Sequence, residues 1–131
     1  LFSFGMLSFF YRDLKTADKK EIARDLYKTT YGNLDSWLRC CTDLRNICAH
    51  YGRLYYRVFS AVPATPKGFP VVLQRSLFDN IVMLKFLYPD RDRWNSEVLS
   101  AIIALLEEYA GDIELSHIGF PDNWEELLRA K

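Results

Sequence analysis

Apolar residues recur along most of this chain at intervals of three and four, the period of a helix with one buried face. No run alternates apolar and polar positions long enough to suggest a sheet, so the pattern predicts an all-α fold. A first helix is expected over roughly residues 2–14. Asp18-x-x-Glu21 precedes Ile22, Ala23, Leu26 and Tyr27 in the arrangement of a capping box, which predicts a second, short helix to about Thr29. Tyr31-Gly32-Asn33 reads as a turn. Asn33 then caps a long helix from Leu34 to about Val58, about 25 residues, with Gly52 as its one weak point. Pro63, Pro66, Gly68 and Pro70 mark a loop over residues 60–70, a connector or a lid. A helix from Leu73 to Tyr88 is stopped by Pro89-Asp90. Asp92 or Ser96 starts another through Leu99, Ile102, Ile103, Leu106 and Tyr109, its apolar face in the core and Gly111 its left-handed stop. A last turn of helix follows Phe120-Pro121 and ends near Leu128.

Length and composition are those of one domain with an ordinary core: 131 residues, 50% hydrophobic and 15% aromatic, which excludes a disordered chain. Net charge is zero but unevenly spread. Residues 1–94 hold 15 of the 17 Lys and Arg against nine acids, whereas residues 95–128 hold eight acids and no Lys or Arg. Such polarity fits either a basic working half or ordinary solvated helix faces. Cys40, Cys41 and Cys48 are odd in number and lack a C-x-x-C pair, which argues against zinc or a disulfide framework. Cys41 and Cys48 share a helical face and are expected to be small buried hydrophobes in a reducing cytosol. The opening Leu1 to Tyr11 has no basic leader or cleavage signal and is too short to cross a bilayer. Starting on Leu within an apolar pattern, it reads as a helix with material missing before it.

Chemistry concentrates in Arg45-Asn46-Ile47-Cys48-Ala49-His50 and its continuation to Arg57. Histidine moves protons near neutral pH, and guanidinium groups fit phosphate oxygens with a planar fork of donors. On the expected long helix, Trp37, Leu38, Cys41, Leu44, Cys48, Tyr51 and Tyr55 form a buried arc. Asn46, His50, Arg53 and Arg57 line up on the other side, with Arg39 further back on the same stripe. Arg45 falls roughly 140° from His50 on an ideal helix. It could curl around the helix, act across a subunit boundary or snorkel over the core. An R-x4-H spacing is expected roughly 0.15 times by chance in such a composition, so the longer string carries the weight.

That string, Arg45-Asn46-x-x-Ala49-His50-x-x-Arg53-Leu54-x-x-Arg57, resembles the signature of the Abi-like abortive-infection proteins of the HEPN superfamily. Ser3-Phe4-Gly5-x-Leu7-Ser8 looks like the segment preceding that family's motif helix, and Leu34-Asp35-Ser36-Trp37-Leu38 resembles the approach to it. Ile118-Gly119-Phe120-Pro121-x-Asn123-Trp124 resembles its closing motif. The resemblance implies one HEPN-like helical bundle over residues 1–131 that lacks N-terminal helices of the full-length protein. It also implies a homodimer with a composite active site, a cytoplasmic toxin of phage defence that cuts RNA without metal or other cofactor, and a possible antitoxin or phage trigger. Within it His50 would transfer protons, Arg45 would bind the scissile phosphate or stabilise its extra charge, and Asn46 would position one of them. Arg39, Arg53 and Arg57 are the further RNA-backbone candidates. In HEPN toxins silenced by nucleotidylation the modified tyrosine lies two residues after the histidine. Gly52 stands there here, so that control is not expected.

Three functions fit these residues. The first is a metal-independent endoribonuclease leaving 2′,3′-cyclic phosphates. The second is a non-catalytic module that binds RNA, a nucleotide or a phage protein through the same arginines. The third is a dimerisation scaffold. Cleavage in excess chelator separates the first from the second, and a loss of stability without a change in RNA affinity on His50→Ala would mark the third.

Overall fold

The computed structural model describes residues 4–50 and 52–131, with the backbone alone for residues 4, 5, 7 and 8. Ser3 and the side chains of the Ser-Phe-Gly segment, like Tyr51 of the expected buried arc, lie outside the described residues. The described chain is all-helical, without a strand.

Helix α1 spans Phe4–Asp13 and α2 spans Thr16–Tyr27. The capping box expected at Asp18 does not form, because α2 begins two residues earlier, after Lys15, and Asp18 lies within its first turn. Helix α3, Tyr31–Ala49, also starts ahead of expectation. Thr30 Oγ1 accepts from the Asn33 N–H at 3.2 Å and satisfies one of the helix's orphan donors, so Thr30 is the cap. Asn33 instead donates through Nδ2 to Thr29 Oγ1 at 3.0 Å.

The larger correction is at the other end. α3 stops at Ala49 with His50 as its C-cap, and does not run on to Val58. The Gly52 N–H turns back to the Ile47 carbonyl at 2.7 Å, the six-residue bond that closes a helix in a Schellman motif. A Cβ on Gly52 would stand 2.7 Å from Ile47 Cγ2 and 2.9 Å from the Ile47 oxygen, so only glycine permits this approach. The residue read as a weak point is the stop itself.

From Gly52 to Ser76 the backbone is irregular, well beyond the expected loop, yet it is fastened down. Trp37 Nε1 donates to the Ala64 carbonyl at 2.7 Å, and Ser36 Oγ accepts from the Ala64 N–H at 3.0 Å. Phe59, Pro63 and Pro66 are buried, which makes the segment a connector anchored on α3 rather than a lid. Helix α4, Leu77–Leu87, starts four residues later than expected because Ser76 and Asp79 form a reciprocal capping box. Its C-cap Tyr88 is extended, as a residue before proline must be.

The next helix is capped by Asp90, whose side chain accepts from the Arg93 N–H at 3.1 Å, rather than by Asp92 or Ser96. It runs through α5 (Arg91–Arg93), a π-helical stretch (Trp94–Leu99) and α6 (Ser100–Glu108). Positions five apart diverge by about 140° on an α-helix, whereas the wider π turn brings Trp94 and Leu99 both into the core. Beyond Leu99 the apolar face is less buried than expected: Ile102, Ile103 and Leu106 are half-buried and Tyr109 is exposed. Gly111 does not adopt the left-handed conformation expected of a helix stop, which Gly119 (φ 81°) adopts instead at the end of the 3-10 turn Leu115–Ile118. Helix α7 is Trp124–Leu128.

Two apolar clusters hold these elements. Tyr11, Ala23, Leu34, Trp37, Cys40 and Met83 form one where α3 packs against α1, α2 and α4. Phe78, Val82, Trp94, Leu99, Phe120 and Leu128 are among those forming the other. α4 serves both, apolar nearly all round as a helix between two cores must be, and Leu84 and Phe86 touch each cluster. Gly119 fits because any Cβ there would overlap Ser76, the cap of α4, while Phe120 packs edge-on against Phe78 at 5.1 Å. Side chains then tie the last residues down: Trp94 Nε1 donates to the Leu128 carbonyl at 2.8 Å, and Asn95 exchanges two 2.8 Å bonds with the Ala130 backbone. Among the described residues no helix is long and apolar enough to cross a membrane.

Candidate functional site

The last turn of α3 carries Arg45, Asn46 and His50, all exposed, with Arg39 exposed further back on the same helix. His50 has left the helix (φ −95°, ψ 17°), while its N–H still reaches the Asn46 carbonyl at 3.1 Å. The imidazole therefore projects from a helix end whose geometry is fixed by Gly52, one turn beyond Asn46.

Arg53 and Arg57 are not on that stripe. Because the helix closes at Gly52, they belong to the irregular segment, where Arg57 Nε donates to the Arg53 carbonyl at 2.6 Å. Folding back nevertheless brings Arg57 beside Asn46. The two share a shallow depression of about 310 Å³ with Asp43, Ile47, Phe59 and Ser60. Asp43 was not singled out in the sequence, although its spacing of three before Asn46 and seven before His50 places it on their face. Arg45, Arg53 and His50 do not line the depression. The structure thus gathers Asn46 and Arg57, leaves Arg45 and His50 on the open helix end, and separates Arg39 from both.

The buried arc survives along α3 only as far as Leu44. Trp37, Cys40 and Leu44 are buried, Leu38 and Cys41 are half-buried, and Cys48 is exposed, against expectation, because the packing partners of α3 do not reach its last turn. Burial pushes the Cys40 thiol up to about 11.

The second histidine holds the segment that follows the motif. Tyr55 Oη lies 2.9 Å from His117 Nδ1 and accepts the Glu114 N–H at 3.1 Å. Glu114 Oε2 and Tyr56 Oη lie 3.1 and 3.0 Å from His117 Nε2, and the Tyr56 ring stacks on the imidazole at 4.4 Å. With the proton on Nε2, Tyr55 donates to Nδ1, and the single Nε2–H is shared between the Glu114 carboxylate and Tyr56 Oη. Desolvation first, then Tyr55 and Glu114, raise the Tyr56 phenol above its ordinary value. Tyr56 adopts a left-handed φ of 64°, which a bulky side chain takes only where its surroundings enforce it. The only sequence signal for this clamp was that His117 is one of two histidines and lies just before the Gly119-Phe120-Pro121 segment.

A family model described as Abi-like protein matches residues 1–56, a stretch that contains α1 to α3 and Arg45, Asn46 and His50. Arg57 and the closing Ile118 to Trp124 segment fall outside it. Neither a curated protein nor a solved structure matches the chain.

Proposed function

From the match of residues 1–56 to the Abi-like family model, we propose that the end of α3 is one half of a ribonuclease site of abortive infection, completed by a second copy of the chain. The observation that carries this reading is the exposure of Arg45, Asn46 and His50 together on a helix end flanked by a shallow depression. Polar groups able to transfer protons and bind phosphate there gain catalytic strength once a partner surface excludes water.

In this reading the ribose 2′-oxygen attacks the adjacent phosphorus as a base takes its proton. The P–O5′ bond breaks as an acid protonates the departing oxygen. The two copies of His50 divide those roles, and Arg45 offsets the added charge of the phosphorane. Asn46 holds a phosphate oxygen or the imidazole in register. Arg57, beside Asn46, and Arg53 extend the contact along the backbone of the strand, with Arg39 at its outer edge. The site resides on a cytoplasmic protein, where an antitoxin or a phage component would set its activity.

The test is incubation of a mixed-sequence RNA, and of DNA of the same sequence, with the protein in excess chelator. RNA products ending in 2′,3′-cyclic phosphate and 5′-hydroxyl, with intact DNA, are expected. Cleavage of both polymers, or RNA bound without cleavage by a protein shown to dimerise, would contradict the reading. The second outcome would favour a recognition module, for which the displacement of Arg53 and Arg57 from the His50 stripe speaks.

A further inference from the structure

A second polar region lies on the opposite side of α3. A groove of about 860 Å³ is floored by Trp37, whose side chain points roughly 180° away from that of Asn46 around the helix axis. Thirteen residues separate Trp37 from His50, about 20 Å along the helix, so the groove and the motif end are distinct places.

Six cations from five separate segments converge on the groove: Lys28, Lys67, Lys85, Arg91, Arg129 and Lys131. Glu126 is the one acidic side chain in its lining. Aromatic rings stand between the charges, with Tyr27, Phe69, Phe86 and Tyr88 all half-buried along its walls. Lys85 lies deepest. Its Nζ is 5.9 Å from the Phe69 ring centre and 5.2 Å from that of Phe86, and it donates to the Leu127 carbonyl at 2.9 Å. That bond uses one of three ammonium donors. Arg91 donates to the Lys131 carbonyl at 2.6 Å and keeps most of its fork. Burial first, and then the charges of Lys131 and Arg91, lower the Lys85 pKa from its ordinary value. An anion in the groove would offset the second, smaller cause.

Resting on the ribonuclease reading, we propose that this groove holds a single-stranded stretch of RNA, its phosphates on the cations and its bases against the aromatic walls. Cations alone would suit any polyanion. Aromatic rings interleaved with them suit a flexible strand whose bases are free to stack. The groove anchors the strand while another part of it reaches the end of α3.

The experiment is titration of a fluorescein-labelled, mixed-sequence 2′-O-methyl RNA 12-mer against the full chain, followed by anisotropy at several salt concentrations. That probe lacks the 2′-hydroxyl nucleophile, so binding is read whether or not the protein cuts RNA. Lys67→Glu and Lys131→Glu, exposed positions without an ion pair among the described residues, should each weaken binding about tenfold and flatten its salt dependence. Glu126→Lys should tighten binding by a similar factor. Unaltered affinity in all three variants, with melting curves like the parent's, would overturn the proposal. So would displacement of the probe by an equal charge of poly-glutamate as readily as by unlabelled RNA, since the groove would then read charge alone. Failure of cleavage with binding intact would remove the nuclease and leave the groove.

Discussion

The body of α3 and its last turn are put to opposite uses. As far as Leu44, one face of α3 (Leu34, Trp37, Cys40 and Leu44) is buried where the helix packs against α1, α2 and α4, and the indole of Trp37 is fixed to the connector. Over the last turn Arg45, Asn46, Cys48 and His50 face outward. One continuous helix therefore joins a rigid support to a bare polar tip. Its rigidity is what lets exposed side chains keep a defined spacing, and exposed groups so held are available to a second surface.

The contrast is sharpest in thiol chemistry. With a pKa of about 11, Cys40 is ionised in about one molecule per thousand at pH 8, and it is buried as well. Cys48, exposed on the same helix, should react with a disulfide reagent within minutes, whereas Cys40 should react only on unfolding. Mass mapping of the labelled sites checks this order, and early labelling of Cys40 would break the comparison.

Stability should divide the same way. Trp37→Ala, on the buried face, should cost about 3–5 kcal/mol in denaturant unfolding, from lost volume and an unpaired Ala64 carbonyl. Gly119→Ala should cost more than about 2 kcal/mol, since a left-handed φ and overlap with Ser76 would disturb the cap of α4. His117→Ala should cost about 1 kcal/mol and release Tyr55 and Tyr56, seen as faster amide exchange over residues 52–57. His50→Ala should stay within about 0.5 kcal/mol of the parent.

The all-α class and most helices were legible from periodicity, because apolar spacing reports burial directly. Boundaries were less so. The capping box at Asp18 is a correct local pattern that the chain does not use, since α2 starts two residues earlier. Gly52 shows the reverse case: a propensity scale scores it as a weak point, but only the fold-back of its N–H onto Ile47 makes it a terminator. That one turn decided the site. It kept Arg45, Asn46 and His50 together on the helix end, and it moved Arg53 and Arg57 off the stripe into the segment held by His117. The groove was not readable at all, because its six cations are scattered from Lys28 to Lys131 and only tertiary packing brings them together.

The most direct test measures cutting and holding separately, in single-turnover cleavage of a labelled RNA across a range of protein concentrations. The account predicts that His50→Ala lowers the saturating rate at least about a hundredfold with affinity unchanged, while Lys67→Glu lowers affinity and leaves the saturating rate intact. Equal saturating rates for the parent and His50→Ala would contradict it.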